Sequence, residues 1–351
     1  MRERVATLLH RAGALQMVMQ LRRHQPVPTV SIITYHHLGE HEPRYAYDPE
    51  IIDATPTQFR AQMEALVRYC TPIGIDELLR AVEGAPLPPN PVMVTFDDGY
   101  QSCHDIALPI LRAVGVRATF FIATSFITER RLYWWERIAL LVHHATHPGR
   151  VTYPRLLSLA PRSAATRRLL NDTIKDAPHL DIERFLGDVA AALGVAWSPA
   201  LEAAYADQLI MTWDHIRALS RAGMDIESHT RTHRVLQTLD GPALDDELAG
   251  SRRDLEAALG RPVRAIAYPV GRRLGRGTQR VRAAIHAAGY QLGLSNASGT
   301  NTILPAMLRP ILPLDRLDVC RLSMDRALSE AMFLGQIALP GFGYRGRHEP
   351  D

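Results

Sequence analysis

The chain has 351 residues, of which 46% are hydrophobic and 22% charged, a composition that is typical of a folded protein with a sizeable core. Its formal net charge of only +3 excludes a molecule-wide basic surface, so we expect no nucleic-acid partner. The cysteines, Cys70, Cys103 and Cys320, are too few and too widely separated for a disulfide framework or a zinc–thiolate site.

The first segment of the chain has helical periodicity. Apolar residues from Val5 to Met19 recur on one face, and arginines flank them at positions 2, 4, 11, 22 and 23. A basic amphipathic helix of this kind either packs on its own domain or lies on an anionic membrane. Because Arg11 and Gln16 interrupt the apolar run, it predicts no secretory signal. We therefore expect a cytoplasmic protein, with peripheral contact at the inner face of the membrane as an alternative.

From residue 29 onwards, predicted strands alternate with predicted helices. The strands are TVSIITYHHL (29–38), PVMVTF (91–96), VRATFFIA (116–123), MDIESH (224–229), VRAIAYPVG (263–271) and YQLGLS (290–295). This alternation predicts βαβ units and a parallel sheet, and six or more such units favour a closed or nearly closed barrel.

Residues from about 127 to 210 interrupt the alternation. They are rich in aromatic residues and helical patterns, which predicts an α-helical insertion that packs on the barrel or caps one of its faces. We therefore divide the chain into an N-terminal amphipathic helix (1–28), a principal domain with the insertion (29–320), and a C-terminal helix and tail (321–351).

Polar residues fall at the carboxyl ends of four predicted strands. They are Tyr35-His36-His37, Asp97-Asp98-Gly99, His229 to His233 in SHTRTH, and Tyr268 with Pro269 and Gly271 in AYPVG. In parallel α/β folds, that edge of the sheet is where active sites form. The sequence therefore predicts one site assembled from these groups.

The pattern at two of these strand ends favours a metal site. His229 and His233 are four residues apart, so a helical turn after the strand would place both imidazoles on one face. Two imidazoles and the Asp98 carboxylate suit a divalent metal ion, zinc by its donor set, and leave one position open for water.

The adjacent carboxylates of Asp97 and Asp98 would repel each other unless a cation neutralised one of them. With Asp98 on the metal, Asp97 becomes a candidate general base for a water whose pKa the ion lowers from near 16 to about 7. Gly99 allows a close turn, and the backbone amide of Tyr100 is a candidate donor to an oxyanion.

The motifs TFDDG and SHTRTH resemble the first two motifs of the polysaccharide deacetylases, carbohydrate esterase family four. The resemblance covers most of residues 29–315 apart from the insertion, and it implies a distorted (β/α) barrel of about seven strands. It also implies metal-dependent removal of an N- or O-acetyl group from a sugar of a glycan or glycoconjugate. In that reaction Asp97 would act as base, while Asp98, His229 and His233 would hold the metal.

This chain departs from the family pattern at later motifs. Ala267 stands where an arginine usually orients the base, and Arg309 in LRPILP is the candidate to replace it. The usual Asp-Trp pair and the late Leu-x-His acid are not visible. The early TYHH resembles a subgroup that includes poly-N-acetylglucosamine deacetylases, which implies His36 as the general acid; a hydrogen-bonded strand-end residue is the alternative. We expect Tyr268 and Pro269 to contact the substrate or the oxyanion.

Other interpretations stay open at this stage. The protein could deformylate or deacetylate a lipid-linked sugar, or it could be a glycan-binding relic that kept the metal site and lost catalysis. Trp134, Trp135 and Tyr133 either stack on a sugar or pack the insertion onto the barrel. The arginine run in GRRLGRGTQRVR (271–282) either meets an anionic glycan or forms a solvated helix face.

Overall fold

A curled, mostly parallel sheet forms the centre of the protein, whose computed structural model describes residues 2–24, 29–40, 46–275, 278–299, 301–303, 314–339 and 342. The strands are β1 (Thr29–Tyr35), β2 (His37–Leu38), β3 (Ile52–Ala54), β4 (Thr71–Pro72), β5 (Pro91–Phe96), β6 (Ala118–Ile122), β7 (Gly149–Val151), β8 (Leu157–Leu159), β9 (Asp225–Ser228), β10 (Ala265–Ala267), β11 (Leu292–Leu294), β12 (Asn301–Thr302) and β13 (Leu322–Ser323). The main path of the sheet runs β11-β10-β9-β6-β5-β1-β12, while β4 pairs with β5 and β13 with β1. The predicted α/β fold, a distorted barrel of about seven strands, is confirmed.

Helices follow most of the strands. They are α1 (Arg2–Arg11), α2 (Ala14–His24), α3 (Pro56–Tyr69), α4 (Ile75–Glu83), α5 (Leu108–Val114), α6 (Thr124–Glu129), α7 (Trp134–His144), α8 (Ala164–Asp176), α9 (Ile182–Ala192), α10 (Pro199–Leu209), α11 (Trp213–Arg221), α12 (Gly241–Asp245), α13 (Ser251–Leu259), α14 (Gln279–Ala287) and α15 (Glu330–Ala338). Sequence signals explain their ends: Thr55 and Gln58 form a capping box before α3, and Gly115 ends α5 in the left-handed conformation.

The register of the sheet brings the predicted polar groups to one edge. Tyr35 at the end of β1 pairs with Phe96 at the end of β5, and Ile122 at the end of β6 pairs with Ser228 at the end of β9. The strands are parallel, so the residues that follow them all emerge on the same side. β1, β5 and β6 are buried along their whole length, as strands of a covered parallel sheet are.

The interruption between residues 127 and 210 has the predicted helical structure. It holds α7 to α10 and one small antiparallel hairpin of β7 and β8. Nine consecutive residues of α7, Trp134–Val142, are buried. The insertion therefore packs closely onto the barrel through α7.

The N-terminal segment forms two helices where the periodicity predicts one. Gly13, with φ of 70°, separates α1 from α2. Ala6, Leu15 and Met19 are buried, and both helices pack against α15. No helix in the described part of the chain has the length and apolarity that crossing a bilayer requires.

The sheet continues beyond the boundary expected at residue 320. Leu322 and Ser323 form β13, which pairs in parallel with Ile33 and Thr34 of β1. The segment that begins at residue 321 thus contributes to the barrel as well as supplying the C-terminal helix α15.

Candidate active site

A tight turn after β5 sends the two adjacent carboxylates in different directions. Asp98 has φ of 73° and Gly99 has φ of 111°, and the second value is one that a side chain rarely permits. The Gly99 amide donates to the Asp97 carbonyl at 2.9 Å, and the Ala123 amide donates to the Asp98 carbonyl at 3.1 Å. The backbone, rather than repulsion alone, therefore separates the two acids.

Asp97 forms a buried, two-fold hydrogen-bonded ion pair with Arg321. Nη1 and Nη2 of the guanidinium each donate to one carboxylate oxygen at 2.7 Å. The side chains of Arg321 and Asp97 are 0% and 1% exposed. Arg321 also donates to the hydroxyls of Thr34 and Thr95, at 3.2 and 3.4 Å. Such bidentate geometry fixes the orientation of the carboxylate.

The charge state of Asp97 follows from this pair. Burial by itself would raise the pKa of Asp97, but the positive charge and hydrogen bonds of Arg321 outweigh it and hold the pKa well below its usual range. Asp97 is therefore ionised at neutral pH, which is the form that can accept a proton.

Asp98 and two histidines form the one cluster in the described part of the chain with the donor set of a metal site. Oδ1 of Asp98 lies 3.3 Å from Nε2 of His229 and 3.4 Å from Nε2 of His233. Ligands bound tetrahedrally about 2.1 Å from a zinc ion would be separated by about 3.4 Å. All three side chains are buried, and neither carboxylate oxygen of Asp98 has a hydrogen-bond partner. The donor set, the spacing and these two unpartnered oxygens all fit a divalent cation.

The histidines present the ring nitrogen that the site requires. Nδ1 of His229 lies 2.9 Å from the Ala267 carbonyl and can donate to it, which leaves Nε2 with a free lone pair. Burial lowers the pKa of His233 to about 3, so its imidazole is neutral and can act as a ligand.

The two histidines converge by a different route from the predicted helical turn. Residues 229–235 form a loop without helical structure, in which Thr230 and His233 have φ of 67° and 54°. The expectation of a helical turn is wrong, because these left-handed residues fold the loop back towards the sheet. The imidazole ring centroids are 4.8 Å apart.

His36 lies at the same edge and is paired with a buried acid. Oδ2 of Asp53 accepts from the His36 amide at 2.5 Å and lies 3.0 Å from His36 Nδ1. Burial opposes the charged imidazolium, but Asp53 outweighs it and raises the pKa of His36 to about 9. The neighbouring His37 differs, since burial lowers its pKa to about 4 and its Nδ1 lies 2.8 Å from the Ser102 hydroxyl. Of the two, His36 is the one that carries a proton at neutral pH.

Tyr100 and Tyr268 differ in which of their polar groups are already hydrogen-bonded. Tyr100 and Ile210 form an isolated antiparallel β-bridge, whose hydrogen bonds use the Gly99 carbonyl and the Gln101 amide. The Tyr100 amide takes no part in these hydrogen bonds. Tyr268 donates its amide to Leu294 and its hydroxyl to Leu317. The polar groups of Tyr268 are thus occupied, and it offers the cavity only its ring.

A cavity of about 90 Å³ opens over these groups. Its walls are His36, Asp48, Ile51, Asp97, Asp98, Trp134, Trp135, Asn171, Lys175, His229, His233, Tyr268, Val270 and Asn296. Pro269 is buried in the short 3₁₀ turn Pro269–Gly271, which also contains Val270, and it is absent from that set of wall residues. The cavity opens directly beside the candidate metal ligands, so a group bound in it would contact them.

The aromatic residues of the insertion pack against His233, one of the candidate metal ligands. Trp134 and Trp135 are only 4% and 6% exposed. The Trp135 ring lies 4.5 Å from that of His233, and its indole N–H donates to the Tyr100 hydroxyl at 2.7 Å. Tyr133 is buried and stacks on Trp135. These residues form a wall that holds His233 in place, and they do not form an open platform.

Sequence reasoning missed the arginine that orients Asp97. Arg309, the residue expected there, lies outside the described residues, and Arg321 makes the contact. Arg321 follows Asp97 by 224 residues, so no local spacing connects them. The available signal was an arginine among apolar and small residues in VCRLSM, a setting in which a charged side chain needs a buried partner.

An ionised acid, a candidate metal donor set and a protonated histidine meet at the carboxyl edge of the parallel sheet, which is the edge where α/β enzymes form their active sites. A sequence profile described as polysaccharide deacetylase matches residues 84–293, which is more than half of the chain. The chain belongs to the polysaccharide deacetylase family, whose members act on acetylated glycans.

Solved structures share the fold at low sequence identity. A deacetylase from Streptococcus pyogenes, PplD, in complex with acetate, is 18% identical with a TM-score of 0.58, over 90% of this chain and 100% of that one. A de-N-acetylase from Aggregatibacter actinomycetemcomitans is 16% identical with a TM-score of 0.54, over 88% and 99%. IcaB from Ammonifex degensii is 16% identical with a TM-score of 0.52, over 89% and 96%. No curated protein matches the sequence.

Replacing Arg321 should change the pH dependence of catalysis. In Arg321→Met, burial of Asp97 is no longer opposed by the guanidinium, so the pKa of Asp97 rises and the acid-side loss of kcat/KM moves to higher pH. Arg321→Lys keeps the positive charge, so the acid-side loss of kcat/KM should move by a smaller amount. The measurement is deacetylation of an acetylated oligosaccharide across the pH range.

The Met variant also leaves a buried carboxylate unpaired, which should cost about 3–5 kcal/mol of unfolding free energy. Arg80→Met, at a side chain 63% exposed and paired with Glu77, whose side chain is 35% exposed, is the matched control. If the acid-side loss of kcat/KM occurs at the same pH in both Arg321 variants as in the wild type, this arginine does not set the ionisation of Asp97.

Proposed function

We propose that the protein is a metal-dependent hydrolase that removes an N-acyl group, most simply acetyl, from an amino sugar of a glycan or glycoconjugate. The observation that carries this proposal is the division of two adjacent acids between two partners. Asp97 is held ionised by Arg321, while Asp98 faces two imidazoles with both of its oxygens unpartnered.

Asp98, His229 and His233 are the residues that would hold the metal, and zinc suits this donor set. A bound divalent cation supplies Lewis acidity, which polarises an acyl carbonyl and makes water acidic near neutral pH. Asp97 accepts the proton of the attacking water. Arg321 engages each of its oxygens once, and a carboxylate oxygen retains a second lone pair for that proton.

The remaining residues act on the acyl group and the leaving amine. The Tyr100 amide, which follows the acidic turn, is our candidate donor to the oxyanion of the tetrahedral intermediate. His36 donates a proton to the departing nitrogen, which an amine needs far more than the oxygen of an ester does. The elevated pKa of His36, about 9, supports removal of an N-acyl group over an O-acyl group.

Asp97→Asn tests the proposal. We expect wild-type protein to bind about one equivalent of zinc and to release acetate from an N-acetylhexosamine oligosaccharide. The Asn variant should retain the metal while its kcat falls by about 10²–10⁴-fold, because the base is lost. Asp98→Asn is the matched change at the next residue, and it should lose the metal itself.

Two outcomes would count against this assignment. Normal turnover by Asp97→Asn would remove Asp97 from the role of base. Metal and sugar binding by the wild type, without release of acetate or formate from N-acetyl, O-acetyl or N-formyl sugars, would favour the glycan-binding relic.

The pair of His36 and Asp53 generates a separate prediction on pH. His36 is protonated below its raised pKa, so the rate should fall on the alkaline side as that proton is lost. Asp53→Asn removes the charge that raises the pKa of His36, and the alkaline limb of kcat should therefore move towards neutral pH. His36→Gln should lower kcat by about 10²–10⁴-fold and abolish that limb while metal content stays normal. An alkaline limb that Asp53→Asn leaves unchanged would contradict the role of His36 as acid.

A lipid-linked substrate, acetylated or formylated, is the second candidate, and the N-terminal helices favour it. Leu8, Met17 and Leu21 are 68%, 60% and 59% exposed, and the exposed arginines of α1 and α2 accompany them. An apolar face with a basic border suits the anionic cytoplasmic surface of a membrane. The three unpaired cysteine thiols accord with that compartment.

Vesicle co-sedimentation tests membrane contact. Changing Leu8, Met17 and Leu21 together to glutamine should reduce binding to vesicles of anionic lipid, because the exposed apolar area is lost. Leu156→Gln, at an equally exposed leucine of the insertion, is the control. Deleting residues 1–26 is a poorer test, since it uncovers the face of α15 against which Ala6, Leu15 and Met19 pack. Equal sedimentation of the triple variant and the wild type would exclude this contact.

A further inference from the structure

Lys175 is the only lysine in the sequence; every other residue among the 40 lysines and arginines is an arginine. It lies in the last turn of α8, within the helical insertion, and its side chain lines the cavity that contains Asp97 and Asp98. An ammonium group is a compact point charge, and the guanidinium that the chain uses elsewhere is planar and forked. The insertion thus supplies a cation of distinct chemistry to the candidate active site.

Lys175 makes no ion pair with any carboxylate of the described residues. Asp48, Asp172 and Asp176 attract it from a distance, while burial lowers its pKa. The nearby arginines are engaged: Arg272 pairs with Asp176, and Arg167 pairs with Asp48 at 3.3 Å. Lys175 therefore has a charge available to a bound molecule.

The arginine run of residues 271–282 offers less to a ligand than the sequence suggests. Arg273 and Arg282 pair with Asp318 and Asp315, and Arg280 donates to the Leu239 carbonyl. Arg276 lies outside the described residues. Among the described cations of this region, Lys175 is the one that faces the cavity without a partner.

Two amide side chains complete this wall of the cavity. Asn171 is four residues before Lys175 on α8, so both project from the same face of the helix. Asn296 follows β11 and is only 6% exposed. The Oδ1 atoms of Asn171 and Asn296 are both buried without a hydrogen-bond partner, and both residues line the cavity. Unpartnered buried carbonyl oxygens call for donors, and sugar hydroxyls are donors of that kind.

We propose that Lys175, Asn171 and Asn296 form a subsite for an anionic sugar, with Lys175 on a phosphate or carboxylate group and the two asparagines on hydroxyls. The inference rests on the proposed function, since it places this group on the glycan that is deacylated. It assigns the insertion a part in substrate selection, because α8 brings the cation to a barrel edge that otherwise presents acids and histidines. A neutral glycan would leave the half-buried ammonium unpaired, so the site should prefer the anionic one.

Turnover provides the first test. The substrates are a neutral N-acetylglucosamine oligosaccharide, the same oligosaccharide with a terminal phosphate, and one with an adjacent uronic acid. For the preferred anion, Lys175→Met should reduce the ratio of kcat/KM on the anionic substrate to kcat/KM on the neutral one by about 10- to 100-fold. Lys175→Arg should restore part of that ratio. Arg168→Met, on the same helix at a side chain 70% exposed, should leave it unchanged.

A binding test uses the single lysine and does not depend on turnover. An amine-acylating reagent can modify Lys175 and the N-terminal amine, which peptide mass spectrometry distinguishes. N-acetylglucosamine 1-phosphate or a disaccharide of N-acetylglucosamine and glucuronic acid should protect Lys175, and plain N-acetylglucosamine should protect it far less. The anionic sugar that protects Lys175 identifies whether the subsite binds a phosphate or a carboxylate group.

Equal labelling of Lys175 with and without both anionic sugars would overturn the inference. So would a ratio of kcat/KM that Lys175→Met leaves unchanged for both anionic substrates. Protection without turnover of any substrate would support the subsite while contradicting the proposed hydrolysis, so the two proposals fail separately.

Discussion

The candidate site depends on one buried ion pair, that between Asp97 and Arg321. Removing both charges from water is costly, and the two-fold hydrogen bonding together with the hydroxyls of Thr34 and Thr95 offsets that cost. The pair connects the end of β5 to the chain just before β13, so a late segment becomes part of the active edge. The pair also keeps Asp97 ionised and occupied by Arg321, so Asp98 is the acid that remains available to a cation.

The second constraint is the backbone at that edge. Asp98, Thr230, His233 and Val270 all have positive φ although none is a glycine. Such conformations cost free energy and persist where the surrounding structure enforces them, commonly at functional sites. Here they turn the three candidate ligand side chains, Asp98, His229 and His233, towards one point and form part of the cavity wall. The tryptophans of α7 then pack behind His233, so the insertion supports the site as well as covering it.

Local patterns predicted much of this arrangement. The alternation of strands and helices gave the barrel, and VTFDDGY with SHTRTH gave the two acids and two histidines, because each motif lies within a few residues at a strand end. Arg321 could not be found in that way, since its contact spans 224 residues and depends on the pairing of β13 with β1. The prediction of a helical turn after His229 was wrong, because the spacing of the two histidines does not reveal that Thr230 and His233 have left-handed backbone conformations. The occupied hydroxyl of Tyr268 likewise depends on a distant carbonyl.

The central claim is that Asp98 holds a cation with His229 and His233 while Asp97 stays on Arg321. Anomalous diffraction from crystals grown with zinc tests it most directly. The account predicts a single strong peak within bonding distance of Asp98, Nε2 of His229 and Nε2 of His233, with the Asp97–Arg321 pair intact. A peak coordinated by Asp97 in place of Asp98, or no peak at this edge of the barrel, would contradict it.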